Sequence, residues 1–209
     1  MLTYKIVVAR YNENVQWLFK EKDNCIIYNK GTPLNIDSEI MLDNVGRESE
    51  TYLNYIINNY DSLPDIVIFT QANISDHRGK NDVDYLLKLK EEADNYGKSL
   101  PTIIHNYSNN PNKCWGPYWN VNKSYNGFYL KDNYKNNNPQ VFVDWFKKNI
   151  NETYPNPIKI YGNALFAVKK ELILKNDVNF YKGLINEVNF HLNPAEGHFF
   201  ERSWYYIFN

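Results

Sequence analysis

Asp65-Ile66-Val67-Ile68-Phe69 is the stretch that decides the fold. It follows the breaker Leu63-Pro64 and gives way to polar Thr70-Gln71, so it reads as a short continuous apolar run. That is the pattern of a strand covered on both faces of a parallel sheet. Upstream, Arg47 to Tyr60 places Tyr52, Leu53, Ile56 and Ile57 at helical spacing, with Glu48 and Glu50 in the first turn, where acids complement the helix dipole. Asn24-Cys25-Ile26-Ile27-Tyr28 is a second strand, closed by the turn Asn29-Lys30-Gly31-Thr32-Pro33. Tyr4 to Ala9 is another apolar run, broken by Arg10-Tyr11-Asn12-Glu13-Asn14 before a helix through Val15, Trp17, Leu18 and Phe19. Strand, helix, strand, helix, strand at these lengths predicts an α/β fold with a mostly parallel central sheet flanked by helices.

Downstream, Asp82 to Tyr96 is an amphipathic helix stopped by Gly97. Residues 101–140 are rich in Asn, Tyr and Gly, with Trp115, Pro117 and Trp119 but no sustained periodicity, and read as a loop-rich aromatic lobe over one sheet edge. Val141 to Ile150 returns to helical spacing. Pro157 to Val168 reads as one or two strands, followed by helices from Lys170, from Phe180 to Leu192 and from Glu196 to Phe208. No repeat or heptad interrupts this order, and 209 residues suit a single domain.

Composition narrows the function classes. Lys plus Arg (23) balances Asp plus Glu (24), a net charge of -1, which argues against a nucleic-acid groove or an anionic membrane as the main partner. The chain is 43% hydrophobic and 16% aromatic, enough for a real core. About one residue in six is Asn, well above ordinary usage, a bias that AT-rich codons favour. Cys25 and Cys114 are distant from each other and read as two free thiols of a reducing compartment. The first residues lead directly into a strand rather than a signal peptide, and no run approaches the roughly 18 to 20 apolar residues of a membrane span, so a cytoplasmic protein is expected.

Five polar clusters could carry chemistry. Arg10-Tyr11-Asn12-Glu13 follows the first strand, at the sheet end where α/β proteins bind ligands, although Asn12 and Glu13 also suit a helix cap. Asn44-Val45-Gly46-Arg47 opens a helix, where backbone amides and a guanidinium can meet an anion or where Arg47 can simply be exposed. Gln71 and Asn73 emerge from the tip of the central strand, with Asp76, His77 and Arg78 close behind. Asp82 and Asp84 form an acid pair at i, i+2, but on a helix such residues diverge by about 200° and more simply cap it. Glu196, His198, Glu201 and Arg202 cluster on the last helix among aromatic residues, where burial would raise a carboxyl pKa toward that of a general acid or base. Trp115 and Trp119 suit a sugar-stacking platform or a satellite hydrophobic cluster. Pro64-Asp65 ahead of a strand raises a metal-dependent nuclease, but that strand carries no Glu-x-Lys and the chain has no basic excess.

Several of these fragments resemble something known. Val7 to Glu13 looks like the opening strand and loop of GT-A glycosyltransferases. Ile27 to Gly31, Gly46-Arg47-Glu48 with Tyr52-Leu53, Ile56 and Asn59-Tyr60, and Leu63-Pro64-Asp65 with Ile68-Phe69 are similar to a family of unknown function from fungi and large DNA viruses, itself related in pattern to GT-A enzymes. Tyr161-Gly162, Phe166-Ala167-Val168 and Glu171-Leu172-Ile173 resemble the segment before the acceptor site of such transferases. Gly197-His198, Glu201-Arg202-Ser203-Trp204 and Ile207-Phe208 match that family's closing motif.

The resemblance implies a GT-A-like domain over 1–209, with a nucleotide-binding half at 1–100 and an acceptor half at 101–209. It implies a viral protein in the host cytoplasm that transfers a sugar from a nucleotide-sugar donor, UDP favoured, to a glycan or protein acceptor. Arg10, Tyr11, Asn12, Glu13, Arg47 and Gln71 would hold the donor, Trp115 and Trp119 the acceptor sugar, and Glu201 or Glu196, aided by His198, would deprotonate the acceptor hydroxyl. The chain departs from the pattern where such enzymes end a strand with Asp-x-Asp, since Thr70-Gln71-Ala72 stands there. Either Asp82, Asp84 or His198 holds Mn2+ or Mg2+, or arginines neutralise the diphosphate; either stabilises the leaving group. The missing acid pair equally suits a catalytically inactive carbohydrate-binding or scaffold module.

Overall fold

The computed structural model describes residues 2–105 and 141–209. The aromatic lobe expected over 101–140, with Cys114, Trp115 and Trp119, lies almost wholly outside the described residues. Five strands form the main sheet: β1 (Tyr4–Arg10), β2 (Cys25–Asn29), β3 (Glu39–Met41), β4 (Ile66–Gln71) and, late in the chain, β7 (Phe166–Lys169), in the order β3-β2-β1-β4-β7. The first four run parallel and β7 lies antiparallel on β4. The sheet is therefore mostly parallel and the fold α/β, as the alternating pattern predicts. A second, two-stranded antiparallel sheet pairs β5 (Ile103–His105) with β6 (Ile158–Ile160).

The helices divide between the faces. On one pack α1 (Arg47–Asn58), α4 (Val141–Asn149), α6 (Val178–Ile185) and α7 (Glu196–Ile207), against Val7, Val67 and Phe69. On the other, α3 (Val83–Tyr96) and a 3-10 segment at Gln16–Asn24 cover Ile6, Val8, Ile66 and Ile68. Two short helices, α2 (Ser75–Arg78) and α5 (Lys170–Ile173), follow β4 and β7. Alternate residues of β1 and β4 thus face different cores, which is why those strands are apolar throughout. Among the described residues no helix is long and apolar enough to cross a membrane.

Two expectations change and a third takes its definite form. The helix expected after β1 is a 3-10 segment with Leu18 its one buried residue. Glu21, with φ -112° and ψ 19°, breaks the segment into two short turns, in keeping with the usual brevity of 3-10 runs. The helix expected over Phe180 to Leu192 starts at Val178, because Asp177 accepts from the amides of Asn179 and Phe180, and ends at Ile185. Residues beyond it turn back, and the His191 carbonyl accepts from Gly46 N–H at 2.9 Å. Pro157 to Val168 contributes strands to two different sheets, β6 and β7, separated by a turn at Gly162–Ala164 in which Asn163 and Ala164 have φ of 61° and 54°.

Candidate functional site

In strand order the chain moves outward from β1 to β2 and β3, then returns to place β4 on the other side of β1. The crossovers pass over opposite faces, by the 3-10 segment and by α1, so the carboxyl ends of β1 and β4 flank a topological switch point. A crevice of about 260 Å³ opens there. Its walls include Arg10, Tyr11 and Glu13 after β1, Lys30 after β2, Arg47, Glu48 and Thr51 of α1, and Gln71, Asn73 and Asp76 after β4. Leu192, 56% exposed, stands at its rim. A larger hollow of about 730 Å³ lies at the amino ends of the strands, between Lys5, Phe19, Cys25, Ile36 and Ile40. Size favours that hollow, but its walls are largely apolar and it sits at the wrong end of the strands for ligand binding.

The loops that frame the crevice are tied to one another by hydrogen bonds. Arg10 is 8% exposed; its Nε donates to Glu13 O at 2.9 Å, and its Nη1 to Asn29 Oδ1 at 2.8 Å, Thr32 O at 2.9 Å and Tyr11 O at 3.3 Å. It is chiefly a strut between the loops after β1 and β2, with Nη2 outside these bonds. Asn12 Oδ1 accepts from Thr32 N–H at 2.9 Å, which pins the second loop, and Asn12 is not on the crevice wall. The loops approach backbone to backbone: a Cβ on Gly31 would lie 1.7 Å from Tyr11 O, so only glycine fits. Glu13 Oε2 accepts from the amides of Tyr11 and Asn12. Tyr11, 51% exposed, is left at the rim.

The opposite wall is the first turn of α1. Gly46 has φ +66°, and a Cβ there would stand 2.4 Å from Glu50 Cβ. Arg47 also has positive φ, at 52°. Its side chain is 38% exposed, with Nε 3.6 Å from Glu48 Oε2 and Nη1 donating to Asn193 Oδ1 at 3.3 Å, so the guanidinium is only loosely held. Lys30 Nζ lies beneath, 2.7 Å from Glu50 Oε2. Burial pulls the Lys30 ammonium below the ordinary lysine range although Glu50 opposes it. The Thr51 hydroxyl is fully buried on the crevice wall and has no hydrogen-bond partner among the described residues. Such a group costs about 1–3 kcal/mol.

From the β4 side a relay runs to α7. Gln71 Nε2 donates to Asn163 O at 3.2 Å, and Asn163 N–H donates to Glu201 Oε1 at 3.0 Å. His198 Nδ1 is 3.6 Å from Glu201 Oε2, and Arg202 Nη1 donates to His198 O at 2.6 Å. Burial pushes the Glu201 carboxyl upward, but His198, Arg202 and the Asn163 amide carry it below the usual carboxylate range. The raised pKa expected from its aromatic surroundings is therefore reversed by hydrogen bonds and charge. Tyr52 lies between two carboxylates: burial raises its phenol well above the ordinary range, with the Glu48 and Glu201 charges adding to this. Glu196 is fully buried in the first turn of α7. Gly197 packs against Arg47, an added Cβ lying 3.6 Å from Arg47 Cδ.

The structure thus brings Arg10, Tyr11, Glu13, Arg47 and Gln71 to one crevice and sets Asn12, His198 and Glu201 behind its walls. Asp82 and Asp84 are elsewhere. Asp82 Oδ1 accepts from Asp84 N–H at 3.1 Å, capping α3, and Oδ2 pairs with Lys80 at 2.8 Å. α3 and the helix bearing His198 cover opposite faces of the sheet, so these three residues do not form one donor set. No group of three His, Cys, Asp or Glu among the described residues could hold a metal ion. Asp65, at the amino end of β4, accepts from Thr3 and Lys170, which hold its carboxyl well below its usual range in a staple far from the crevice. Lys30, Glu48, Thr51 and Leu192 are crevice residues that sequence reading passes over; Lys30 looks like a turn residue and Glu48 like a dipole acid.

No curated protein and no solved structure matches the chain. A family model described as "Protein of unknown function (DUF3431)" matches residues 6–209, from β1 through α7, and so spans both the crevice and the helix behind it. With nearly its whole length matched, the chain belongs to the DUF3431 family of proteins of unknown function.

Proposed function

We propose that the protein is a GT-A-like glycosyltransferase that moves a sugar from a nucleotide-sugar donor to a glycan or protein acceptor. The observation that carries this reading is the crevice at the β1/β4 switch point, where an exposed Tyr, a loosely held Arg and an unpartnered buried hydroxyl converge. Open α/β sheets bind nucleotides at such points. Arg47 and the Thr51 hydroxyl supply donors for phosphate oxygens, and Tyr11 and Leu192 at the rim offer apolar surface to a base. At about 260 Å³ the crevice is smaller than the roughly 300–1,000 Å³ of drug-sized pockets, so a nucleotide-sugar would extend over that rim.

The expected metal donors do not fit one ion, so no step is routed through a metal. Charge that develops on the leaving diphosphate would be met by Arg47, with Lys30 and Arg10 adding positive potential nearby. Two carboxylates compete for the acceptor proton: Glu48 on the crevice wall, and Glu201 behind Asn163. Glu48→Gln and Glu201→Gln separate them, since the true base loses turnover without losing donor affinity.

The experiment that tests the reading is a thermal-shift screen against UDP, GDP, CMP and their sugars, with and without Mn2+. A native-state ligand at a hundred times its dissociation constant stabilises by about 2.7 kcal/mol. A nucleotide-selective shift that is independent of Mn2+ and lost in Arg47→Ala is expected. A shift that requires Mn2+ would overturn the metal-free version, and no shift with any donor would favour an inactive carbohydrate-binding module.

A further inference from the structure

Lys30 joins the two walls of the crevice. Its main-chain N–H donates to Arg10 O at the end of β1 at 2.9 Å, while its side chain, 5% exposed, runs inward to the start of α1. There its ammonium donates to the carbonyls of Val45 and Arg47, the latter at 2.6 Å, and forms an ion pair with Glu50 Oε2 at 2.7 Å. These carbonyls bracket Gly46, and the chain passes through two successive left-handed residues, Gly46 at φ 66° and Arg47 at φ 52°. An L-residue resists that conformation because its Cβ crowds the carbonyl oxygen, so Arg47 holds it only where the surroundings over-determine it. The outcome is a side chain laid across Gly197 toward Asn193.

We infer that the Lys30–Glu50 pair is a lock that sets the left-handed Gly46–Arg47 turn and thereby aims the Arg47 guanidinium at the crevice. Lys30 is a positioning residue: its ammonium is buried against two carbonyls and the Glu50 carboxylate, so it acts through Arg47. A buried ion pair of this kind is weak as a source of net stability, so removing both charges probes the geometry of the turn more than the folding of the chain. The consequence for ligand affinity rests on the proposal that the crevice holds an anion; the lock itself does not.

Hydrogen exchange of the peptide spanning residues 44–52, read beside calorimetric titration with inorganic pyrophosphate and with UDP, tests this. K30M leaves the Glu50 charge buried alone and should destabilise the whole fold, so the decisive variant is K30M/E50M, which removes both charges. We expect this double variant to melt near the wild-type temperature, yet to exchange faster at 44–52 and to bind both probes about tenfold or more weakly, the value of one charge-assisted hydrogen bond. K30R should restore protection. R47A should abolish probe binding without changing exchange. Wild-type exchange and affinity in K30M/E50M would overturn the lock. If that variant fails to fold, E50Q decides: faster exchange at 44–52 supports the lock and unchanged exchange overturns it. If the wild type binds neither probe while the exchange changes occur, the anion reading of the crevice fails and the lock stands.

Discussion

The two faces of the sheet are built from different materials. Under α3 and the 3-10 segment the core is aliphatic: Ile6, Val8, Ile27, Ile66, Ile68, Leu86 and Leu89. Under α1, α4, α6 and α7 it is aromatic, with Tyr52 against Phe69 at 4.9 Å, Phe69 against Phe166 at 5.0 Å, Trp204 against Phe166 at 5.4 Å and Trp145 against Phe200 at 5.0 Å between ring centroids. Aliphatic side chains seal a surface without direction. Tyr and Trp bury more area and also aim a polar tip. Tyr52 Oη donates to Ala164 O, Tyr161 Oη to Ser99 O, Tyr181 Oη to Ile173 O and Trp145 Nε1 to Glu187. The aromatic face therefore addresses individual carbonyls in the segments it supports, and both α1, which borders the crevice, and the Asn163 turn, which bonds Gln71 of its wall, rest on it.

This contrast can be broken or sharpened by substitution. The largest effect should come from Trp204→Ala, which removes a ring in contact with Tyr52, Phe166, Phe200 and Phe208. Urea unfolding should show a loss of about 3–5 kcal/mol. Next is Glu201→Gln, which weakens the tie between α7 and the Asn163 turn. A loss of about 1.5–3 kcal/mol is expected at neutral pH. The folded carboxyl lies below its unfolded range, so its contribution is complete above about pH 4.3 and is lost as pH falls through the folded pKa. The wild-type and Glu201→Gln stability curves should thus converge in acid; parallel curves would refute the assignment. On the aliphatic face, Ile68→Val should cost only about 0.5–1.5 kcal/mol in urea unfolding and leave hydrogen exchange at residues 44–52 unchanged. The smallest effect is a gain. Gly183 is exposed within α6 and an added Cβ meets nothing within 4 Å, so Gly183→Ala should stabilise by about 0.5–1 kcal/mol.

Legibility followed length and periodicity. β1, β2, β4, α1, α3 and α7 are long enough for apolar spacing to speak, whereas β3 and β5 have three residues each and carry no pattern. Glu39-Ile40-Met41 becomes a strand because Asn29 and the Leu34 and Asn35 amides bind the Glu39 carboxylate, contacts visible only in three dimensions. That Arg10, Tyr11, Glu13, Arg47 and Gln71 would gather at one end of the sheet was readable because strand ends and helix starts can be placed from sequence. Lys30 and Glu50 were not, since nothing in the spacing of a turn lysine and a helix glutamate reveals that they are buried together.

By itself, the amino-acid order determined the alternation of strands and helices, the two-sided burial of β1 and β4, and hence a mostly parallel sheet whose carboxyl ends would gather polar residues. These are local consequences of where apolar side chains fall along the backbone. Tertiary structure alone decided that the Glu201 carboxyl is lowered rather than raised, that Arg10 serves the loops, that Asp82 lies on the opposite face of the sheet from His198, and that Lys30 reaches Arg47. A charge's role depends on what stands within a few ångströms of it, and that distance is set by the packing of segments remote in the chain.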